Sequence, residues 1–188
     1  MKKCYVLLAD GFEEIEALCP VDLLRRAGCR VETVAVANRN PVIGAHGITV
    51  MADRLADGIE ASFDLVLLPG GMPGSKNLDQ SHLVDALLKV ATESDAVIAA
   101  ICAAPFVLGK RGLLAGKKAT CYPGFEKDLQ GAEVVDCGVV VDGNIVTASD
   151  MGLAEEFGLA LVEKLCGKEA AETVRASVHP RPNRKVEV

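Results

Sequence analysis

Short apolar runs of strand length alternate along the chain with segments in which apolar residues recur at helical spacing. The apolar runs predict strands over residues 4–9, 30–36, 64–68, 96–101 and 117–122. Helical spacing predicts helices over residues 13–27, 82–92, 153–166 and 168–177, and another that starts near Ala103. Continuous apolar strands that alternate with helices are typical of a mostly parallel sheet covered on both faces. The pattern therefore predicts one α/β domain over residues 1–188.

Glycine and proline mark the breaks in this pattern. Pro20 lies inside the first helix, which we expect it to kink or break. Residues 42–51 contain two glycines and predict an irregular hairpin. An Asp-Gly turn joins residues 134–141 to 145–148 and predicts a second hairpin. The tail after the last helix, residues 179–183, looks irregular.

Composition narrows the function classes. The net charge is −6, which argues against nucleic acid or an anionic membrane as a partner. No apolar stretch reaches membrane-spanning length, so we expect a soluble protein without a membrane partner. The seven cysteines are scattered, odd in number and never spaced as CxxC, and the three histidines do not cluster. We therefore predict neither a disulfide framework nor a metal site, and a reducing cytoplasm as the compartment.

Cys102 is the cysteine with the most suggestive position. It lies between the apolar run 96–101 and a segment of small residues, 103–108, where a strand should end and a helix begin. A helix start stabilises an anion, so a thiolate there would have a lowered pKa. Free cysteine is also a common inert core residue. Position alone leaves both readings open.

Other candidate groups follow neighbouring predicted strands. In open α/β sheets, ligand sites lie beyond the carboxyl ends of the strands, so Glu16, Gly70-Gly71 and Cys102 should converge. Glu16 lies among apolar residues, and burial would raise its pKa and let it hydrogen-bond a thiolate. The glycines could offer backbone amides to an oxyanion, or form an ordinary turn.

The acidic neighbours Glu13 and Glu14 are explained by favourable interaction with the helix dipole. A cysteine hydrolase needs a histidine base beside its nucleophile. Ala103 follows Cys102 where a histidine could stand, and His46 would have to be carried inward by a loop. The residues therefore do not predict a Cys-His pair.

Four stretches of the chain resemble the ThiJ/PfpI superfamily and, within it, the DJ-one-like subfamily. They are ADGFEEIE (9–16), PVDLLRRAG (20–28), VLLPGG (66–71) and AAICAAP (99–105). The resemblance extends over nearly the whole chain. It implies a flavodoxin-like three-layer sandwich of the class I glutamine amidotransferase type, usually as a homodimer.

The resemblance also implies roles for individual residues. Cys102 matches the reactive cysteine on the family's nucleophile elbow, which is readily oxidised to a sulfinate. Glu16 matches the glutamate that hydrogen-bonds this sulfur. Gly70 and Gly71, with the amide of Ala103, match the backbone donors.

The chain departs from the family pattern around the site. Tyr122 stands where relatives often carry a histidine or another ring, and His46 stands in the region of a dimer-facing arginine. Both are possible neighbours of a substrate. Asp150 begins a stretch, Asp-Met-Gly-Leu-Ala, that replaces the family's Arg-Gly-Pro-Gly-Thr. These changes bear on substrate choice.

The function implied by the resemblance is a cysteine-dependent glyoxalase or deglycase. It would act on methylglyoxal-type dicarbonyls or their adducts without a metal or another cofactor. The alternative is a non-enzymatic oxidative-stress sensor or chaperone that reacts with an oxidant through the same cysteine. A cysteine peptidase is the least favoured hypothesis, because the histidine partner is missing.

Overall fold

Eleven strands and six helices account for most of residues 1–179, the part of the chain that the computed structural model describes. The strands are β1 (Lys3–Leu8), β2 (Arg30–Ala35), β3 (Val42–Ile43), β4 (Thr49–Val50), β5 (Arg54–Leu55), β6 (Leu65–Leu68), β7 (Val97–Ile101), β8 (Lys118–Ala119), β9 (Glu133–Val134), β10 (Val139–Asp142) and β11 (Ile145–Ala148). The helices are α1 (Glu14–Arg26), α2 (Gly74–Asp79), α3 (His82–Ser94), α4 (Pro105–Lys110), α5 (Ala154–Cys166) and α6 (Lys168–Val178).

A seven-stranded sheet forms the middle layer, in the order β10-β11-β7-β6-β1-β2-β5. All neighbouring strands run parallel except β10 and β11, which form an antiparallel hairpin. The predicted mostly parallel sheet is confirmed. Strands β3 and β4 form a separate small hairpin, as the glycines of residues 42–51 predicted.

Side chains of the sheet alternate between two apolar layers. On β1, Cys4, Val6 and Leu8 pack with residues of α1, α5 and α6. Tyr5 and Leu7 face the opposite way and pack with residues of α2, α3 and α4. Because both faces are covered, the central strands are buried throughout, which explains their continuous apolar runs. The three-layer sandwich is confirmed.

Helix α1 continues through Pro20, so of the two expected effects, a kink or a break, the break is wrong. Pro20 is buried against α5 at Gly158, where an added Cβ would lie 3.2 Å from the Pro20 Cα. This tight packing holds the two halves of the helix together despite the missing hydrogen bond.

The second predicted hairpin is present, but its first strand is shorter than predicted. Residues 134–141 divide between β9, which ends at Val134, and β10, which begins at Val139. Strand β9 pairs with β8 in a two-stranded sheet of its own, so the predicted strand over 117–122 does not join the main sheet. The short elements β5 and α2 were missed because neither is long enough to show a period.

The predicted irregular tail lies outside the described residues from position 180 onward. Within residues 1–179, none of the helices combines the length and apolar character needed to cross a bilayer.

Candidate functional site

Cys102 occupies a strained corner directly after β7. Its φ of 62° lies in the left-handed region, which is costly for a residue with a Cβ. The Cys102 N–H donates to the carbonyl of Ala148 at 2.9 Å, and its carbonyl accepts from the N–H of Tyr122 at 2.8 Å. The corner is therefore held from both sides, and the side chain is half-buried.

The expectation that a helix start lowers the pKa of Cys102 is wrong. Helix α4 begins only at Pro105 and has six residues. Burial, together with the charge of Glu16 and a hydrogen bond to it, raises the pKa of the Cys102 thiol to about 12. The backbone N–H groups of Ala103 and Gly71 act in the opposite direction but do not outweigh these effects.

Glu16 is a fully buried carboxyl group in the first turn of α1. Its Oε2 accepts a hydrogen bond from the N–H of Gly70 at 2.9 Å. Burial raises the pKa of Glu16 to about 7, although its interactions with Cys102 and Gly70 lower it in part. The raised pKa that we expected from burial is confirmed.

Gly70 lets the carboxyl group and the cysteine approach each other. A Cβ at Gly70 would lie 2.3 Å from Glu16 Oε2 and 2.7 Å from the Cys102 Cβ, and no side chain fits there. The segments that follow β1, β6 and β7 thus meet at one point, as parallel strand ends predict.

Glu16 and Cys102 form a coupled acid pair. Two negative charges in this buried position would repel each other, so each group favours the protonated form of the other. Above about pH 7 the pair holds a single proton. These pKa values place that proton mainly on Cys102, so the thiolate, which is present when the proton resides on Glu16, is the minor form.

Of the three predicted backbone donors, one is engaged by Glu16 and two face the sulfur of Cys102. The N–H of Gly70 is already engaged by Glu16, which removes it from the predicted set of oxyanion donors. The N–H groups of Gly71 and Ala103 face the sulfur, where they favour its charged form. These two amides can stabilise negative charge on the sulfur or on an atom bonded to it.

His46 pairs with Glu14 rather than with the cysteine. Its Nδ1 lies 2.8 Å from Glu14 Oε2, and its backbone N–H donates to Glu14 Oε1 at 2.8 Å. Burial raises the pKa of Glu14, but the hydrogen bonds from His46 outweigh it, and the pKa is lowered. The same contact raises the pKa of His46. Within residues 1–179 no hydrogen bond or ion pair joins His46 to Cys102.

Tyr122 and Asp150 border the site in different ways. Tyr122 contacts Cys102 through its backbone, and its ring is exposed. Asp150 accepts from the N–H of Gly152 at 3.0 Å, and its charge raises the pKa of Glu16. Asp150 also lines a cleft of about 440 Å³. Other lining residues of this cleft are Thr120, Cys121, Pro123, Cys137 and Ser149.

The sequence did not predict that Glu14 binds the β3–β4 hairpin or that Glu13 caps α1 through its side chain. Glu13 caps α1, because its Oε2 accepts from the N–H of Glu16 at 2.8 Å. Glu14 is buried and binds the β3–β4 hairpin, whose residues lie more than thirty positions away. No local pattern marks that contact. Within residues 1–179, Glu13, Glu14 and His46 have ligand atoms that all lie within 4.8 Å of one another. This group could hold a metal ion.

Comparison with known proteins agrees with the fold. The model of the DJ-1/PfpI family matches residues 2–164. Protein DJ-1 homolog B of Arabidopsis thaliana is 42% identical over 185 residues, which cover 97% of this chain and 42% of that protein. The chain thus spans less than half the length of this relative. Protein dj-1beta of Drosophila melanogaster is 40% identical over 176 residues, covering 92% of this chain and 94% of that protein.

Solved structures give the same result. Oxidized DJ-1 of Toxoplasma gondii superposes with a TM-score of 0.91 at 38% sequence identity, covering 95% of this chain and 98% of that one. The predicted resemblance to the ThiJ/PfpI superfamily and to its DJ-one-like subfamily is confirmed. Since the family model and these relatives match most of its length, the chain belongs to the DJ-1/PfpI family.

Proposed function

We propose that the chain is a cofactor-free glyoxalase or deglycase in which Cys102 is the nucleophile and Glu16 the acid/base. One observation carries the proposal: a buried carboxyl group with a pKa of about 7 adjoins a cysteine at a strained strand end. A pKa near neutrality suits a group that both takes and returns a proton. Methylglyoxal-type dicarbonyls, or their adducts, are the proposed substrates.

The reaction begins when the Cys102 thiolate attacks the aldehyde carbon of methylglyoxal. A carbon–sulfur bond forms, and the carbonyl oxygen takes the proton held by Glu16, which gives a hemithioacetal and leaves Glu16 as a carboxylate. The N–H groups of Gly71 and Ala103 are placed to stabilise charge at this stage.

Glu16 then moves a proton between adjacent carbons. Its carboxylate removes the proton from the carbon bonded to sulfur, and the resulting enediolate takes that proton back from Glu16 at the neighbouring carbon. The hydroxyl proton on the first carbon passes to the oxygen on the second. The product is a thioester of Cys102. Water cleaves this thioester, releasing lactate and the free thiol, so that the net reaction adds one water to methylglyoxal.

Lactate formation from methylglyoxal by the purified protein tests the proposal. We expect Cys102→Ala and Glu16→Gln each to lower kcat/KM by about 100-fold or more. Cys137→Ala removes an exposed thiol in the cleft and is the matched control, for which we expect near-normal turnover. Full turnover by Cys102→Ala, or no lactate from the wild type, would contradict the proposal.

The second candidate is an oxidative-stress sensor or chaperone in which Cys102 itself is oxidised. Two backbone amides face the sulfur and could hold added oxygens, and a solved relative, the Toxoplasma gondii protein, was obtained oxidized. Intact-mass measurement after mild peroxide separates the two candidates. Addition of two oxygens at Cys102 with negligible dicarbonyl turnover favours the sensor. A peptidase remains the least favoured, because His46 engages Glu14.

We also propose a homodimer in the cytoplasm. The start of α1 and the β3–β4 hairpin expose several large apolar side chains side by side, which is typical of a subunit interface. They are Ile15, Leu18, Ile43, Ile48 and Met51. All seven cysteines are free, which suits a reducing compartment.

A further inference from the structure

Two cysteines far apart in sequence meet at the end of the molecule opposite Cys102. Cys29 precedes β2 and Cys166 ends α5, and their Sγ atoms lie 3.5 Å apart. Because β2 and β7 run in the same direction, a residue before β2 and one after β7 lie at opposite edges of the sheet. This thiol pair is therefore separate from the site described above.

The two thiols differ in access to solvent. Cys166 is exposed, whereas Cys29 is only 7% exposed. Burial raises the pKa of Cys29 to about 11, and contact with Cys166 adds to the effect. An oxidant therefore reaches Cys166 first.

We propose that Cys29 and Cys166 are a peroxide-responsive dithiol that forms a reversible disulfide. Peroxide transfers one oxygen to the Cys166 sulfur, giving a sulfenic acid and water. The Cys29 sulfur then attacks the Cys166 sulfur and displaces the hydroxyl group as a second water. In total, two thiols are oxidised, one peroxide is reduced, and two waters form.

The surrounding backbone permits the bond. A disulfide needs the sulfurs at about 2.05 Å, so the pair must close by roughly 1.5 Å. Gly28 and Gly167 flank the two cysteines, both with positive φ, and an added Cβ at either glycine would meet nothing within 4 Å. The open space beside each glycine leaves the adjoining backbone room for small adjustments.

A third cysteine, Cys4, interacts with Cys29 from the inside of the core. It is fully buried on β1, and burial raises the pKa of its thiol strongly. Neither peroxide nor the thiolate form is available there. Cys29 consequently pairs with the exposed Cys166 and not with Cys4.

The test uses the Cys102→Ala variant of the chain, which removes the cysteine of the proposed active site and retains six of the seven thiols. After mild hydrogen peroxide, we expect two fewer titratable thiols and a peptide pair cross-linked through residues 29 and 166. Dithiothreitol should restore both thiols. The result is independent of dicarbonyl turnover, so it stands or fails separately from the proposed function.

Further substitutions in the same background identify the partners. Cys166→Ser, at an exposed position, should abolish the cross-link, whereas Cys4→Ser and Cys137→Ser should leave it unchanged. If buried Cys29→Ser fails to fold, the exposed variant alone still decides the question. An unlinked Cys166 carrying two or three oxygens, or a cross-link that survives Cys166→Ser, would overturn the proposal.

Discussion

The proposed chemistry of the site depends on one buried residue, Glu16. Its carboxyl group accepts a hydrogen bond from the N–H of Gly70, interacts with the Cys102 thiol and otherwise lies in the low-dielectric interior. Burial in such a position favours the neutral form and raises the pKa. The protein therefore has a carboxyl group that titrates near neutral pH, and this has consequences for both stability and reactivity.

The first prediction concerns stability. The folded-state pKa of Glu16, about 7, lies above its ordinary value of 4.5. The stabilisation from its tightly bound proton is thus fully present below pH 4.5 and lost as the pH rises through 7. Glu16→Gln stays neutral at every pH. We expect it to match the wild type near pH 4.5 and to exceed it by about 2–3 kcal/mol at pH 8.

Urea unfolding of both proteins at the two pH values measures this difference. All other titrating groups are common to the two chains, so the change in the difference between pH 4.5 and pH 8 isolates Glu16. A difference that is the same at both pH values would mean that Glu16 is ionised normally in the folded protein.

The second prediction concerns the reactivity of Cys102. Because the pair with Glu16 holds one proton above about pH 7, the thiolate fraction should become constant there. We expect the rate of Cys102 alkylation by iodoacetamide to rise up to about pH 7 and then level off. In Glu16→Gln the plateau should vanish, and the rate should continue to rise with pH. A wild-type rate that climbs steadily to pH 10 would rule out proton sharing.

At the scale of elements, Glu14 joins the start of α1 to the β3–β4 hairpin. Its carboxylate accepts from the backbone N–H groups of His46 and Ile48 and from the His46 ring. A Cβ at Gly44 would lie 2.2 Å from Glu14 Oε1, so the hairpin backbone packs directly against the carboxylate. The hairpin is thereby fixed beside the first turn of the helix that carries Glu16.

The third prediction tests this junction. Glu14→Ala leaves the partly buried backbone N–H groups of His46 and Ile48 without their acceptor, and we expect a loss of about 1–2 kcal/mol in the free energy of unfolding at pH 7. His46→Ala keeps the backbone contacts and should lose clearly less. Since the pKa of Glu14 is lowered, the deficit of Glu14→Ala should shrink as the pH falls below 4.5. Urea unfolding at pH 7 and pH 4 provides the measurement, and equal losses for the two variants would contradict this role.

At the scale of the whole molecule, the exposed apolar surface around the same junction underlies the proposed dimer. Ile15 on α1 is 50% exposed, and Ile48 and Met51 in and after the hairpin are exposed still more. This is the surface that a second subunit would cover.

The fourth prediction follows from that surface. Ile15→Glu should convert a dimer to a monomer, because a charge cannot be buried there without a partner. Val141→Glu changes a residue with the same 50% exposure on the edge strand β10, and it should leave the mass unchanged. Sedimentation velocity reads the mass of each variant. A monomeric wild type, or a dimeric Ile15→Glu, would refute the assignment of this interface.

The sequence by itself determined that the sheet is mostly parallel and which apolar runs form its central strands. Apolar runs such as 64–68 and 96–101 are buried on both sides, so their composition follows directly from their environment. For the same reason, the meeting of Glu16, Gly70 and Cys102 was foreseeable, since parallel strand ends share one edge. Local periodicity could also place α3 and α5, whose apolar faces repeat over several turns.

Only the tertiary structure decided how these groups interact. The pKa of Cys102, the use of the Gly70 amide by Glu16 and the pairing of His46 with Glu14 all depend on distances between segments remote in the chain. The contact between Cys29 and Cys166 joins residues 137 positions apart, and no spacing rule marks it. Sequence patterns indicate whether a residue is buried. Ionisation and reactivity depend on which atoms lie within a few ångströms of a group, and those neighbours are set by the packing of the folded chain.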